Sequence, residues 1–99
     1  MEVEQGVLQK VGRSETHQDR AQRAAKLVSM LTRRQVEVLN GMADGMMNKQ
    51  IAWFLMIDEK TVKMHRALLL KRLGVQHSAQ AIRLAVEASF AGQPPVAAN

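Results

Sequence analysis

Signals for the start and the end of a helix recur four times between residues 31 and 90, and these signals constrain the fold more than any other feature. Thr32 is followed three residues later by Gln35, the pattern of a capping box, and apolar residues then repeat at helical spacing. Gly45 ends this stretch, as glycine commonly does just beyond a helix. No segment of the chain shows the alternation of apolar and polar residues that is typical of a half-buried strand. The sequence therefore predicts an all-α fold.

Three further helices follow the first one. The second starts at residues 47–48 and is short, because its apolar stripe lasts scarcely two turns. Asp58 is expected to cap a third helix over residues 59–73, which Gly74 ends, and Ser78 is expected to cap the fourth. The apolar run IAWFLMI at 51–57 also has the composition of a buried strand, but the polar residues on both sides of it favour a helix followed by a tight turn.

The two ends of the chain differ from this central part. Residues 1–13 are predicted to be a flexible arm, and residues 14–30 a linker helix capped by Ser14 or Thr16. Residues 91–99 carry both prolines and no charge, which is typical of a disordered tail. A chain of 99 residues has room for one domain. The expected organisation is therefore an arm and linker helix over 1–30, a four-helix domain over 31–90 and a tail over 91–99.

Composition excludes several classes of function. The chain has no cysteine, which excludes disulfide frameworks, cysteine-ligated zinc and thiol catalysis. It contains no Ser/His/Asp arrangement, glycine-rich phosphate loop or metal-ligand spacing, so we expect no enzyme, no metal and no cofactor. Lys and Arg number 14 against 9 Asp and Glu, and the resulting charge of +5 makes a polyanionic partner plausible. IAWFLMI is far shorter than the ~20 residues of a membrane helix, and no signal peptide begins the chain, so we expect a cytoplasmic protein without membrane contact.

The third helix concentrates this positive charge. Residues 58–73 hold five basic and two acidic residues, a net charge of +3. On a helical wheel one face, opposite the apolar stripe of the helix, carries Lys60, Lys63, Met64, Ala67 and Lys71. In a helix-turn-helix, a helix of this kind lies in the major groove of duplex DNA while the preceding helix crosses the phosphate backbone. A solvated face on a basic bundle would explain the charge row as well.

A known family shares these residues. LTRRQVEVLNGMADGMMNKQIAWFLMIDEKTVKMHRALLLKRLGV, followed by SAQAIRLA, resembles the LuxR/NarL/FixJ-type DNA-binding domain, the output domain of many bacterial response regulators. The resemblance covers about 60 residues without a gap, and TVK-x-HR followed by LGV is its most specific part. It implies a tetrahelical helix-turn-helix that regulates transcription by binding duplex DNA as a homodimer. The third helix would read the sequence, and the fourth would contribute to the dimer contact.

The resemblance also implies individual roles. Lys63 is the leading candidate for a base contact, and the residues expected to touch bases are Lys63, Met64, Ala67 and Lys60, of which Lys60 also matches a position of backbone contact. The residues expected to touch the DNA backbone are Asn48, Lys49, Thr61, Arg66 and Lys71. Apart from the resemblance, no second histidine or carboxylate follows His65 at i+3 or i+4, so we expect a structural or phosphate-contacting role for it rather than that of a switch or a ligand.

Four positions depart from the family pattern. Met56 stands in the turn where glycine or a small polar residue is usual, so either the turn differs or stability is lower. Met47 replaces the usual serine cap, so Asn48 is expected to cap and to shorten the second helix. Ala67 and Leu68 replace polar residues that often contribute hydrogen bonds to DNA, which implies fewer contacts that read the bases.

Several apolar residues lie off the predicted core stripes. Trp53 and Phe54 occupy the outer side of the second helix, where they would contact a partner domain, RNA polymerase or the linker helix of this chain. Leu68 raises the same question. On the fourth helix we expect Gln80, Leu84 and Ala88 to lie off the buried stripe and to contact a second copy, although a solvated surface is the simpler reading.

Two other functions remain open at this point. The nearer one is a region-4 domain of a sigma factor, against which the continuation HRALLLKRLGV and the capped fourth helix argue. The other is a helix-turn-helix that has lost base readout and binds a protein through Trp53, Phe54 and Leu68. About 30 residues precede the domain, too few for a phosphoacceptor receiver domain of ordinary size, so we expect no phosphorylation control within this chain. It is expected to be a stand-alone regulator or the output domain of a longer one.

Overall fold

The computed structural model describes residues 16–92, and this part of the chain is helical without a strand. The five helices in chain order are α1 His17–Val28, α2 Arg33–Ala43, α3 Asn48–Leu55, α4 Glu59–Leu73 and α5 Ser78–Ala88. The predicted all-α architecture, a linker helix followed by four helices, is therefore confirmed. The arm predicted for 1–13 lies outside the described residues, as does the predicted tail apart from the turn at 91–92. Within 16–92 no helix is both long and apolar enough to span a bilayer.

Threonine capping boxes begin α1 and α2. Thr16 is the cap of α1, and its Oγ1 accepts a hydrogen bond of 3.0 Å from the amide of Asp19. At α2 the Oγ1 of Thr32 accepts from the Gln35 amide at 3.1 Å, while Gln35 Oε1 accepts from the Thr32 amide at 3.0 Å. Two amide donors that the helix itself leaves without a partner are satisfied in this way. The capping box predicted at Thr32 is confirmed.

The start of α3 differs from the prediction. Met47 is the N-cap residue and Asn48 is already helical, so the expectation that Asn48 caps and shortens this helix is wrong. A methionine side chain offers no good acceptor, and Met47 makes no side-chain capping bond. Gln50 compensates from inside the first turn, because its Oε1 accepts a 2.8 Å hydrogen bond from the Met47 amide.

The same compensation occurs at α5. His77 is the N-cap and Ser78 the first helical residue, which corrects the prediction that Ser78 caps this helix. Oε1 of Gln80 accepts hydrogen bonds from the amides of His77 and Gln76 at 2.9 and 3.0 Å. At α4 Asp58 occupies the predicted N-cap position, but its side chain makes no capping hydrogen bond.

The core lies where α2, α4 and α5 meet. α2 packs against both of the other helices, and α3 packs chiefly against α4. The apolar side chains buried in this core are Leu31, Val38, Leu39, Met42, Ile51, Ala52, Val62, Leu69, Leu73 and Ala81. α1 packs against α5 and buries Ala21 and Ala24. The four-helix domain is thus closed around one core, and α1 covers part of α5.

Gly41 allows α3 to lie close to α2. A Cβ atom at this position would lie 2.9 Å from Cγ1 of Ile51, a side chain that is fully buried. Glycine in a helix interior costs about 1 kcal/mol relative to alanine. At position 41 the absence of a side chain allows Ile51 to pack closely, and Ile51 anchors the first helix of the helix-turn-helix to the core.

Candidate nucleic-acid interface

A left-handed residue forms the turn between α3 and α4. Met56 has φ 58° and ψ 46°, and it is the one residue other than glycine with a positive φ in the described part of the chain. The amide of the next residue, Ile57, donates a 2.9 Å hydrogen bond to the carbonyl of Ala52 and so closes the turn. The left-handed conformation costs a non-glycine residue about 1–2 kcal/mol. The turn therefore keeps its tight geometry, and Met56 is strained.

α4 presents the predicted cationic face to solvent. The residues of this face, Lys60, Lys63, Met64, Ala67 and Lys71, are all exposed. The opposite side of the helix holds Val62, Leu69 and Leu73 in the core. Within residues 16–92 no ion pair involves any of the three lysines, so their charges are not neutralised internally. The amphipathic pattern thus orients α4 so that one row of free cations faces outward.

Arg66 connects three helices from the inner flank of α4. Its Nη1 donates a 2.6 Å hydrogen bond to Oδ1 of Asn48, and its Nη2 donates a 2.8 Å bond to Oγ of Ser78. Asn48 begins α3 and Ser78 begins α5. Sequence reasoning missed this bridge, although on the helical wheel Arg66 lies beside the buried Leu73 and away from the cationic face. We call the three residues the Arg66 bridge.

The other predicted backbone contacts lie around this bridge. Lys49 is exposed in the first turn of α3, directly after Asn48, and Thr61 is half-buried in the first turn of α4. Because Asn48 and Arg66 bond to one another, the structure gives them an internal role, and their contact with DNA stays a prediction. Nδ1 of His65 is buried and has no hydrogen-bond partner within the described residues.

Two adjacent aromatic residues on α3 project into solvent. Trp53 is 81% exposed and Phe54 69% exposed. The alternative that both pack against the linker helix is therefore wrong, since α1 packs on α5 instead. Phe54 borders a groove of about 250 Å³ between α2 and α3, whose other lining residues are Glu37, Asn40, Gly41, Asp44, Met46, Ile51 and Leu55.

The residues predicted to contact a second copy differ in their surroundings. Leu84 is half-buried and packs against the core, so the expectation that it lies off the buried stripe is wrong. Gln80 is exposed, but its carbonyl oxygen is used at the start of α5. Ala88 is half-buried. Their role in a dimer stays a prediction.

Comparisons with known proteins agree with this geometry. The family model described as bacterial regulatory proteins, luxR family, matches residues 29–85. The chain is 45% identical to the glycerol metabolism activator of Pseudomonas putida over 67 residues, which are 68% of this chain and 30% of that protein. It is 50% identical to the nitrate/nitrite response regulator protein NarP of Escherichia coli over 48 residues, 48% of this chain and 22% of NarP.

A solved structure has the same fold. Full-length FixJ from B. japonicum superposes with a TM-score of 0.68 at 26% sequence identity, covering 88% of this chain and 42% of FixJ. The chain thus spans less than half the length of each of these relatives. The family match covers the whole helix-turn-helix, including the TVK-x-HR motif of α4, and it sets aside the sigma-factor alternative. The chain belongs to the luxR family of bacterial regulatory proteins.

Proposed function

We propose that this chain regulates transcription by binding duplex DNA with α4 in the major groove. The observation that carries the proposal is the exposed row of unpaired lysines on α4, held outward by the buried side of the same helix. A lysine in the groove donates to O6 and N7 of guanine, and apolar side chains contact the methyl group of thymine. We therefore assign base contacts to Lys60, Lys63, Met64 and Ala67. A regulator of this kind acts in the cytoplasm, where bacterial DNA lies.

Phosphate contacts orient the helix on the DNA. We assign them to Lys49 on α3 and to Thr61 and Lys71 on α4. The Arg66 bridge supports these contacts, because it fixes the start of α3, and with it Lys49, against the middle of α4. Each lysine that neutralises a phosphate releases counterions, so affinity falls steeply as the salt concentration rises.

The salt dependence of binding tests this assignment. Fluorescence anisotropy with a labelled random-sequence duplex, at several salt concentrations, measures the slope of log K against log salt. Lys49→Ala should lower affinity and reduce the steepness of the slope by about one. The matched control is Lys26→Ala, which removes an exposed lysine from α1, and it should leave the slope unchanged. Equal effects of the two variants would show that only overall charge matters, and would overturn the assignment.

We further propose that the protein binds as a homodimer to two half-sites about 10 base pairs apart. The proposed contact is the flank of α5 that carries Gln80 and Ala88, with the half-buried Leu84 contributing the part of its side chain that the core leaves exposed. Sedimentation on duplexes with one or two half-sites measures the stoichiometry. Ala88→Arg should prevent the second copy from binding, whereas Ala79→Arg, an exposed position on another side of α5, should not. Two copies bound by the Ala88 variant would contradict the proposed contact.

The exposed aromatic pair favours a second, compatible function. Trp53 and Phe54 expose most of their surface, and Phe54 lies at the edge of the groove between α2 and α3. Exposed apolar patches commonly mark protein contacts. We propose that this surface contacts a partner protein, with RNA polymerase the first to test. The double variant Trp53→Ala, Phe54→Ala should retain DNA binding and lose binding to purified RNA polymerase, measured by sedimentation. Unchanged binding of the polymerase by the double variant would contradict this role.

A protein-interaction module without base readout makes a different prediction. Such a protein would bind its partner tightly with little dependence on salt, and would bind duplex DNA negligibly. The same anisotropy titration therefore distinguishes it from the DNA-binding regulator.

A further inference from the structure

Methionine is the oxidisable sulfur of this protein. The chain has seven methionines and no cysteine. Four described methionines are substantially exposed: Met30 at 53%, Met47 at 65%, Met56 at 88% and Met64 at 50%. Three of these four, all except Met30, belong to the helix-turn-helix. Because oxidation of methionine requires access to the sulfur, oxidation of the methionines within residues 16–92 is directed toward the helix-turn-helix.

Met64 differs from the other exposed methionines in its position. It lies on the exposed face of α4, one residue after Lys63 and one helical turn after Lys60. We propose that Met64 is a site of reversible oxidation by peroxides, and that its sulfoxide weakens DNA binding. This inference rests on the proposed function, since it requires that α4 face the DNA.

The reaction is a two-electron oxygen transfer. The thioether sulfur of Met64 attacks one oxygen of hydrogen peroxide, the O–O bond breaks, and an S–O bond forms. Sulfur loses two electrons, the peroxide is reduced to water, and the protons of the peroxide leave with that water. Methionine sulfoxide reductases reduce the sulfoxide back to methionine, and each enzyme acts on one epimer at sulfur.

The sulfoxide changes what position 64 offers to the DNA and to the neighbouring Lys60. An apolar side chain on α4 suits the thymine methyl group, but the sulfoxide oxygen is polar and is only an acceptor. Guanine O6 and N7 and the phosphates are acceptors as well, so none of them donates to it, and among the major-groove edges only the amino groups of adenine and cytosine do. Residues four apart on a helix are neighbours, and the new oxygen can therefore accept from the Lys60 ammonium group and withdraw that donor from the DNA.

The same chemistry at Met47 and Met56 has smaller consequences. Met47 precedes α3 and makes no side-chain capping bond, and Met56 lies in the turn with nearly all of its surface in solvent. A sulfoxide at either site adds a polar group where water is already present. The effect on DNA binding is thus assigned to Met64.

The test compares DNA binding before and after treatment with hydrogen peroxide. Anisotropy measures affinity for a duplex that the reduced protein binds, and mass spectrometry of peptides measures sulfoxide at each methionine. Oxidation should weaken binding about tenfold, which corresponds to 1.4 kcal/mol. Methionine sulfoxide reductases should restore the affinity, whereas dithiothreitol alone should not. Met64→Leu should resist the loss, and Met30→Leu, which removes a methionine of similar exposure elsewhere, should not.

Two further variants keep the result interpretable if leucine at position 64 itself weakens binding. Met64→Gln places a polar carbonyl oxygen at this position without oxidant, beside an amide donor that the sulfoxide lacks, and should bind more weakly than the reduced original chain. Met47→Leu combined with Met56→Leu leaves Met64 in place and should lose affinity on oxidation as the original chain does. An equal loss in Met64→Leu, or protection by the double variant, would overturn the inference. Absence of DNA binding by the reduced protein would instead overturn the proposed function, and this inference with it.

Discussion

Nη1 of Arg66 lies 2.6 Å from Oδ1 of Asn48, and this hydrogen bond joins the middle of α4 to the first residue of α3. The second arm of the guanidinium extends the connection to Ser78 at the start of α5. The angle between the two helices of the helix-turn-helix is therefore fixed by a side chain as well as by the turn. A planar guanidinium suits this role because its two terminal nitrogens point in fixed, different directions.

Replacing Arg66 should therefore weaken the fold in a specific way. Lysine keeps the charge but cannot reach both acceptors, so Arg66→Lys should lower the free energy of unfolding by about 1–2 kcal/mol. In a double-mutant cycle of Arg66→Ala and Asn48→Ala, each of which removes the Arg66–Asn48 bond outright, urea unfolding should give a coupling energy of at least ~0.5 kcal/mol. Arg72→Lys, at an exposed position on the same helix, is the control and should change little. Additive effects of Arg66→Ala and Asn48→Ala would contradict the bridge.

At the left-handed turn we expect the opposite effect, because a substitution of Met56 should make the protein more stable. Glycine adopts a φ of 58° without steric cost, and Met56 contributes little packing because it is 88% exposed. Met56→Gly should raise the free energy of unfolding by about 1 kcal/mol, after allowing for the greater freedom of glycine in the unfolded chain. Met56→Ala removes the same side chain without relieving the strain, and it should give no gain. A stabilisation of equal size in both variants would locate the effect in the side chain rather than in the backbone.

The capping box of α2 should account for a measurable part of the stability. Thr32→Ala removes the acceptor of the Gln35 amide and should cost about 1 kcal/mol, measured by thermal or urea unfolding. Thr32→Ser keeps the hydroxyl group and should retain most of that stability. If serine and alanine destabilise equally, the hydroxyl is not what stabilises the start of α2.

The helices could be predicted from the sequence because their boundaries are encoded locally. Thr32 and Gln35 lie three residues apart, and Gly74 ends α4 with its own backbone, at φ 75°. The exposed face of α4 follows from the same short-range periodicity. The roles of these residues in DNA binding depend on a partner and stay proposals.

What could not be predicted depends on contacts between distant parts of the chain. Arg66 is 18 residues from Asn48 and 12 from Ser78, and nothing local reveals that the three side chains meet. The burial of Leu84 depends on how the core surrounds α5. The exposure of Trp53 depends on α1 packing elsewhere. The roles of Arg66 and Leu84, which are assigned from their positions on a single helix, are therefore the ones that tertiary contacts change.

The central claim is that α4 reads DNA sequence through Lys63, and an in vitro selection tests it most directly. The original chain, Lys63→Ala and the control Lys26→Ala would each select from the same random duplex library. We predict that the original chain and the control enrich the same inverted repeat, with half-sites about one helical turn apart, and that Lys63→Ala enriches it weakly or relaxes one base position. An unchanged ranking of sites by Lys63→Ala, or no enrichment by the folded original chain, would contradict the claim.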